Sequence, residues 1–135
     1  MISNKGLAHK LYQNLGKLFY AVAAIDNNVR DEELDRLRDV VKNEWLKSNL
    51  IQDDLKANIE DSIINTFKWL HDDNEYNAEI CYNSFIAFKN KHEALFTKDL
   101  NTIILETTRA ITASFSGVNK SELIIMARLS LELNK

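Results

Sequence analysis

Asp26, Asn28, Asp31 and Glu33 lie close together in the stretch AIDNNVRDEEL, residues 24–34. All four carry side-chain oxygens, the ligands that a hard divalent cation such as calcium or magnesium takes. Their spacing matches the second half of a helix–loop–helix calcium loop. Asp26 is followed three positions later by Val29, and Val29 four positions later by Glu33. The ligand positions of the first half fall on Val22 and Ala24, which have no donor atoms. A complete calcium loop is therefore excluded. At most these residues supply a few oxygens to a weakly held cation, with water completing the shell.

The same residues also read as a tight turn feeding a helix, and the residues favour that reading. A chain that leaves one helix and enters another at an angle needs a residue at positive φ, which Asn27 or Asn28 tolerates. Val29 can plug the corner into a core. Asp31, Glu32 and Glu33 then stand at a helix N-terminus, where the macrodipole favours negative charge. A shorter echo occurs in ASFSGVNKSEL, residues 113–123, where Gly117 occupies the turn and Val118 precedes Glu122 by four positions, as Val29 precedes Glu33. Asn119 and Glu122 form a capping-box-like pair. The two stretches predict two pseudo-equivalent helix–turn–helix corners.

The elements that must position these corners are helices. The chain has no proline and three glycines, so helices can run long. Leu7, Leu11, Leu15, Leu18, Val22 and Ile25 step by three or four, as one helical face requires. Leu34, Leu37, Val41 and Trp45 form a second stripe. Leu55, Ile59, Ile63, Phe67 and Leu70 form a third, and Cys81, Phe85, Phe88, His92 and Leu95 a fourth. A fifth holds Leu100, Ile104, Ile111 and Phe115, and residues 123–133 form a sixth segment. Thr97 and Asn119 are candidate N-caps. The sixth segment is apolar on most sides, so it is expected at the centre of the bundle. The fold class is all-α: a compact bundle of about six or seven helices in one domain, residues 1–135.

Other chemistry is thin. His9, His71 and His92 are far apart, and no His-x-x-x-His or paired-cysteine spacing points to zinc. His92 lies on an apolar stripe and reads as a half-buried structural histidine. His71, Asp72 and Asp73 could hold a metal weakly, although a solvated loop explains them better. Cys81 reads as a small hydrophobe. There is no nucleophile elbow and no phosphate-cradling glycine loop, so no catalytic residue is assigned. Trp45, Trp69 and Tyr76 are either packing residues or interface anchors.

The balance of residues bounds the rest. At 45% hydrophobic, a 135-residue chain is expected to pack a core rather than stay disordered. A net charge of −3 argues against nucleic-acid binding. The first 25 residues carry Lys5, Lys10 and Lys17 and no acid, which leaves open an acidic partner or peripheral contact with an anionic membrane. The longest apolar run, Leu18 to Ile25, is too short to span a bilayer. One cysteine suits a reducing compartment, so a cytoplasmic location is expected. No cofactor is expected beyond the weak divalent cation.

The layout resembles the tellurite-resistance TerB-like family. The resemblance rests on small residues ending a helix and then Asp26, Val29 and Glu33 at one corner, with Gly117, Val118 and Glu122 at the other. Asn27 stands where that family usually has glycine, and Ser116 where its second corner usually has aspartate. The resemblance implies a compact helical module tied to stress responses, metal-anion resistance and membrane-associated assemblies, and not chiefly an enzyme. The expected function is thus a non-catalytic interaction or sensing module with a protein partner, related to stress response. The alternative is a divalent-cation-binding protein using the Asp26–Glu33 corner.

Overall fold

The computed structural model describes residues 4–25, 33–46, 59–73, 77–114 and 120–134. Of these, 92% are helical and none is in a strand, so the fold is all-α. Helix α1 spans Lys5–Ala24 and α2 spans Glu33–Val41, which runs into a π-helical turn, Lys42–Leu46. Helix α3 spans Ile59–Asp72 and α4 spans Ala78–Lys91. A 3₁₀ turn, Glu93–Leu95, leads to α5, Lys98–Ser114, and α6 is Lys120–Leu133.

Helix α1 holds the centre. It packs most extensively on α3 and α4, and it also touches α5 and α6. Its sequence allows this, because small residues let neighbours approach from several sides. Ala8, Gly16, Ala21, Ala23 and Ala24 are buried between the larger Leu11, Leu15, Leu18 and Phe19. At Gly16 an added Cβ would stand 2.7 Å from Thr66 Cβ and 3.0 Å from the Ile63 carbonyl oxygen, so α1 and α3 cross there almost backbone to backbone. Asn4 starts the helix by accepting the Leu7 N–H at 2.9 Å. Lys17 is partly buried and donates to Ser84 Oγ on α4 at 3.1 Å. Lys5 and Lys10 remain exposed.

The other stripes pack as their spacing implies. Leu37, Val41 and Trp45 are buried, as are Ile59, Ile63, Phe67 and Leu70. Trp45 is fully buried, and its indole N–H donates to Thr107 Oγ1 at 2.9 Å. That hydroxyl in turn donates to the Ile103 carbonyl, so both polar groups are satisfied inside the core. Phe85 and Phe88 meet Phe96 edge to face, at centroid distances of 5.8 and 6.0 Å. Thr97 caps α5 by accepting the Leu100 N–H, as its position predicts. Asn77 caps α4 in the same way, accepting from Ile80.

The last helix departs from its expectation. It is peripheral, and α1 takes the central place assigned to it. Only Glu122, Ile125, Leu129 and Leu133 of α6 turn inward. Leu123, Ile124 and Leu131 face outward. A helix apolar on most sides can be buried all round, or it can have one apolar face in the core and a second outside. The pattern in α6 is the second kind.

Candidate functional site

The corner proposed as a cation site falls mostly beyond what is described. Asp26, Asn28 and Asp31 lie outside the described residues, as does the second corner, 115–119, with Asn119. Glu33 opens α2, and its side chain is likewise outside them. Among the described residues no group of three or more His, Cys, Asp and Glu side chains could hold a metal ion. His71 and Asp73 are partly buried at the end of α3, each engaged in an interaction, and Asp72 is exposed. His9 is exposed beside Gln13. His92 is partly buried and lies against the Phe88 ring at 4.7 Å, the structural role its stripe implies. Cys81 is buried, and burial pushes its thiol pKa up while Lys17 pulls it down. Of the three aromatics at helix ends, Trp45 is core, Trp69 is 53% exposed and Tyr76 lies outside the described residues.

The feature that stands out is the outer face of α6. Leu123, Ile124 and Leu131 are 58%, 53% and 72% exposed. With the exposed Ala127 they form one stripe at intervals of three and four, opposite the inward Ile125, Leu129 and Leu133. Three large aliphatic side chains, each more than half exposed, thus leave an apolar strip on the outside of one short helix.

Polar contacts along its inner edge hold this face on a firm support. Arg128 pairs with Glu79 of α4 through Nη1–Oε1 at 2.6 Å and Nη2–Oε2 at 3.4 Å. The same guanidinium lies 4.6 Å from the centre of the Tyr82 ring. The hydrogen bond to Glu79 raises the Arg128 pKa further. At the C-terminal end, where helix carbonyls lack intrahelical donors, Lys89 Nζ donates to the Glu132 carbonyl at 2.7 Å. Asn101 Nδ2 donates to the Leu133 carbonyl at 2.9 Å. Lys89 is only 5% exposed, so its charge rests at the negative end of the helix dipole rather than in solvent.

A cleft of about 280 Å³ adjoins this clasp, lined by Lys89, Asn90, Glu93, Phe96, Asn101 and Leu133. Asn101 Oδ1 is buried there without a hydrogen-bond partner among the described residues. Lys89 Nζ and Asn101 Nδ2, which line the cleft, donate to α6 carbonyls, which makes it the seam of a helix-end clasp. The apolar excess of α6 is visible in sequence, where it implies an interior position, and the structure turns half of it outward. The clasp was not foreseen, because Lys89 and Asn101 meet α6 only through the fold. Comparison with protein-family models, with curated proteins and with solved structures finds no match for this chain.

Proposed function

We propose that this chain is a non-catalytic protein-interaction module of the TerB-like kind, acting in the cytoplasm in a stress response, and that it engages its protein partner through the outer face of α6. The carrying observation is the exposed Leu123, Ile124 and Leu131 stripe on a helix clamped from behind. Free in water, such a stripe leaves apolar surface hydrated, and covering it gains roughly 25 cal/mol per Å² before the costs of association. A rigid support reduces those costs, because little has to be ordered on binding. The absence of a membrane-spanning segment among the described helices agrees with a partner met in water or at a surface. The family resemblance, carried by the two corner motifs, supports the same kind of module.

The test uses affinity capture after mild cross-linking in cells, comparing wild type with Leu123→Lys/Leu131→Lys. Both positions are more than half exposed, so the variant should melt close to wild type. The expected result is a protein captured by wild type and lost with the variant. Identical captured sets from two equally folded proteins would refute the assignment of this face.

A further inference from the structure

Two unmet hydrogen-bonding demands meet in the cleft between α4, α5 and the end of α6. An ammonium carries three N–H groups, and Lys89 Nζ gives one to the Glu132 carbonyl at 2.7 Å. No carboxylate pairs with it among the described residues. Lys89 is 5% exposed, so bulk water does little to offset its charge. The second demand is opposite in kind. Asn101 Nδ2 donates to the Leu133 carbonyl at 2.9 Å and reaches the Phe96 carbonyl at 3.4 Å. Both partners are acceptors, so the amide cannot be turned round, and its oxygen is left as a buried acceptor without a donor. Both side chains line the same cleft of about 280 Å³.

We propose that this cleft binds a free α-amino acid with an aliphatic side chain. The ligand's carboxylate accepts from Lys89 Nζ, and its ammonium donates to Asn101 Oδ1.

Charge selects a zwitterion. Lys89 is positive, and the exposed Glu93 carboxylate, which has no ion pair among the described residues, lines the same cleft. The C-terminal end of α6 adds partial negative charge. A phosphate would set its negative charge against that helix end and beside Glu93. A plain carboxylate would answer Lys89 and leave Asn101 Oδ1 without a donor. A simple amine would answer Asn101 and stand against Lys89. An α-amino acid brings both groups on one carbon, with no net charge, and leaves its ammonium within the field of Glu93.

The walls set the size and the side chain. The cleft volume of about 280 Å³ lies just under the roughly 300–1,000 Å³ of sites for drug-sized ligands, so the ligand is small. Phe96 and Leu133 supply the apolar lining, and Phe96 is held edge to face by Phe85 and Phe88. Asn90 and Glu93 are exposed, so the site is open on that side and binding should be weak, with a Kd on the order of 1 mM.

Proton–nitrogen spectra of the isotope-labelled full chain, recorded while L-valine is added, test this. The backbone amides of Asn90, Glu93 and Asn101 and the side-chain amide of Asn101 should shift along one saturating curve. Acetate, methylammonium and inorganic phosphate at the same concentrations should give no saturating shift there. Glu93→Gln removes an exposed charge and should melt like wild type while weakening L-valine about two- to fivefold. Lys89→Met should abolish saturation, with its melting temperature as the check on folding. The absence of a saturating response to L-valine in wild type overturns the site. An equal response to acetate or phosphate overturns the zwitterion, and so does an affinity that Glu93→Gln leaves unchanged.

Discussion

Replacing Gly16 by alanine should destabilise the protein, although alanine is the better helix former. Gly16 lies in the interior of α1, where Gly→Ala alone would gain up to about 1 kcal/mol. The new Cβ would stand 2.7 Å from Thr66 Cβ, 2.9 Å from Thr66 Cγ2 and 3.0 Å from the Ile63 carbonyl oxygen. Carbon atoms in good contact sit about 3.5–4.0 Å apart. Two of the three obstacles are fixed by the α3 backbone, since neither a Cβ nor a carbonyl oxygen can rotate away. Thr66 is also held by its own hydroxyl, which donates to the Ser62 carbonyl at 2.9 Å. Relief therefore requires α1 and α3 to separate by close to 1 Å along the most extensive helix pair in the fold. Overpacking of this kind costs about 1–3 kcal/mol, so a net loss of about 1–2 kcal/mol remains after the helix-propensity gain. Gly6 supplies the control in the same helix. A Cβ there meets only Asn4 Oδ1 at 3.5 Å, an ordinary contact. Gly6→Ala should gain up to about 0.5–1 kcal/mol, less in the first turn than in the interior. Urea unfolding followed by circular dichroism measures both changes, with unchanged slope as the check that compactness is preserved. Gly16→Ala as stable as Gly6→Ala would show that the two helices are not in close contact at this crossing.

Alkaline pH should weaken the fold. Burial pushes the Tyr12 phenol from 10.0 up to about 12 and raises Tyr20 and Tyr82 as well. The folded state keeps these protons longer than the unfolded chain. For Tyr12 the stabilisation is complete below pH 10 and lost as pH rises through about 12, at up to about 1.4 kcal/mol per pH unit, and Tyr20 and Tyr82 act in the same direction. Urea midpoints measured across that range should fall, and less steeply in Tyr12→Phe; equal slopes would refute the assignment to Tyr12. Cys81 should resist a thiol reagent in the native protein and react fully once it is unfolded, because burial both shields the thiol and raises its pKa; fast native labelling would contradict its packing. Calcium or magnesium at millimolar levels should leave the melting temperature flat in wild type, Asp26→Ala and Glu33→Gln alike. The earlier ligand positions of a full loop, Val22 and Ala24, are buried core residues of α1. A rise in wild type abolished by both substitutions would instead establish a cation site.

The helices were legible because their stripes are periodic. Leu11, Leu15, Leu18 and Val22 in α1, and Ile59, Ile63, Phe67 and Leu70 in α3, are buried in the register that spacing by three and four dictates. Thr97 was legible as a cap because a hydroxyl before a polar first turn has one obvious use. The contacts that join elements were not. Trp45 to Thr107 and Lys89 to Glu132 link residues 62 and 43 positions apart, and no local pattern announces either. Nor did spacing reveal that Gly16 marks a crossing, since a glycine inside a helical stripe reads only as a weak point in the helix.

The misassignment of α6 shows what decides which helix takes the centre. Both α1 and α6 are rich in apolar residues, and composition favoured α6 as the more aliphatic. A central helix must accept neighbours on several sides at once, at interaxial distances of 8–10 Å, which asks for small residues spread round it. Helix α1 meets that demand with Ala8, Gly16, Ala21, Ala23 and Ala24, all buried. Helix α6 has one small apolar residue, Ala127, and it lies on the outside. Its large side chains project in two opposite directions, with Ile125, Leu129 and Leu133 inward and Leu123, Ile124 and Leu131 outward. The inward set is sufficient to seat the helix, and the clasp by Arg128, Lys89 and Asn101 fixes its pose. The outward set stays 53–72% exposed, and it is the surface that the proposed partner would cover.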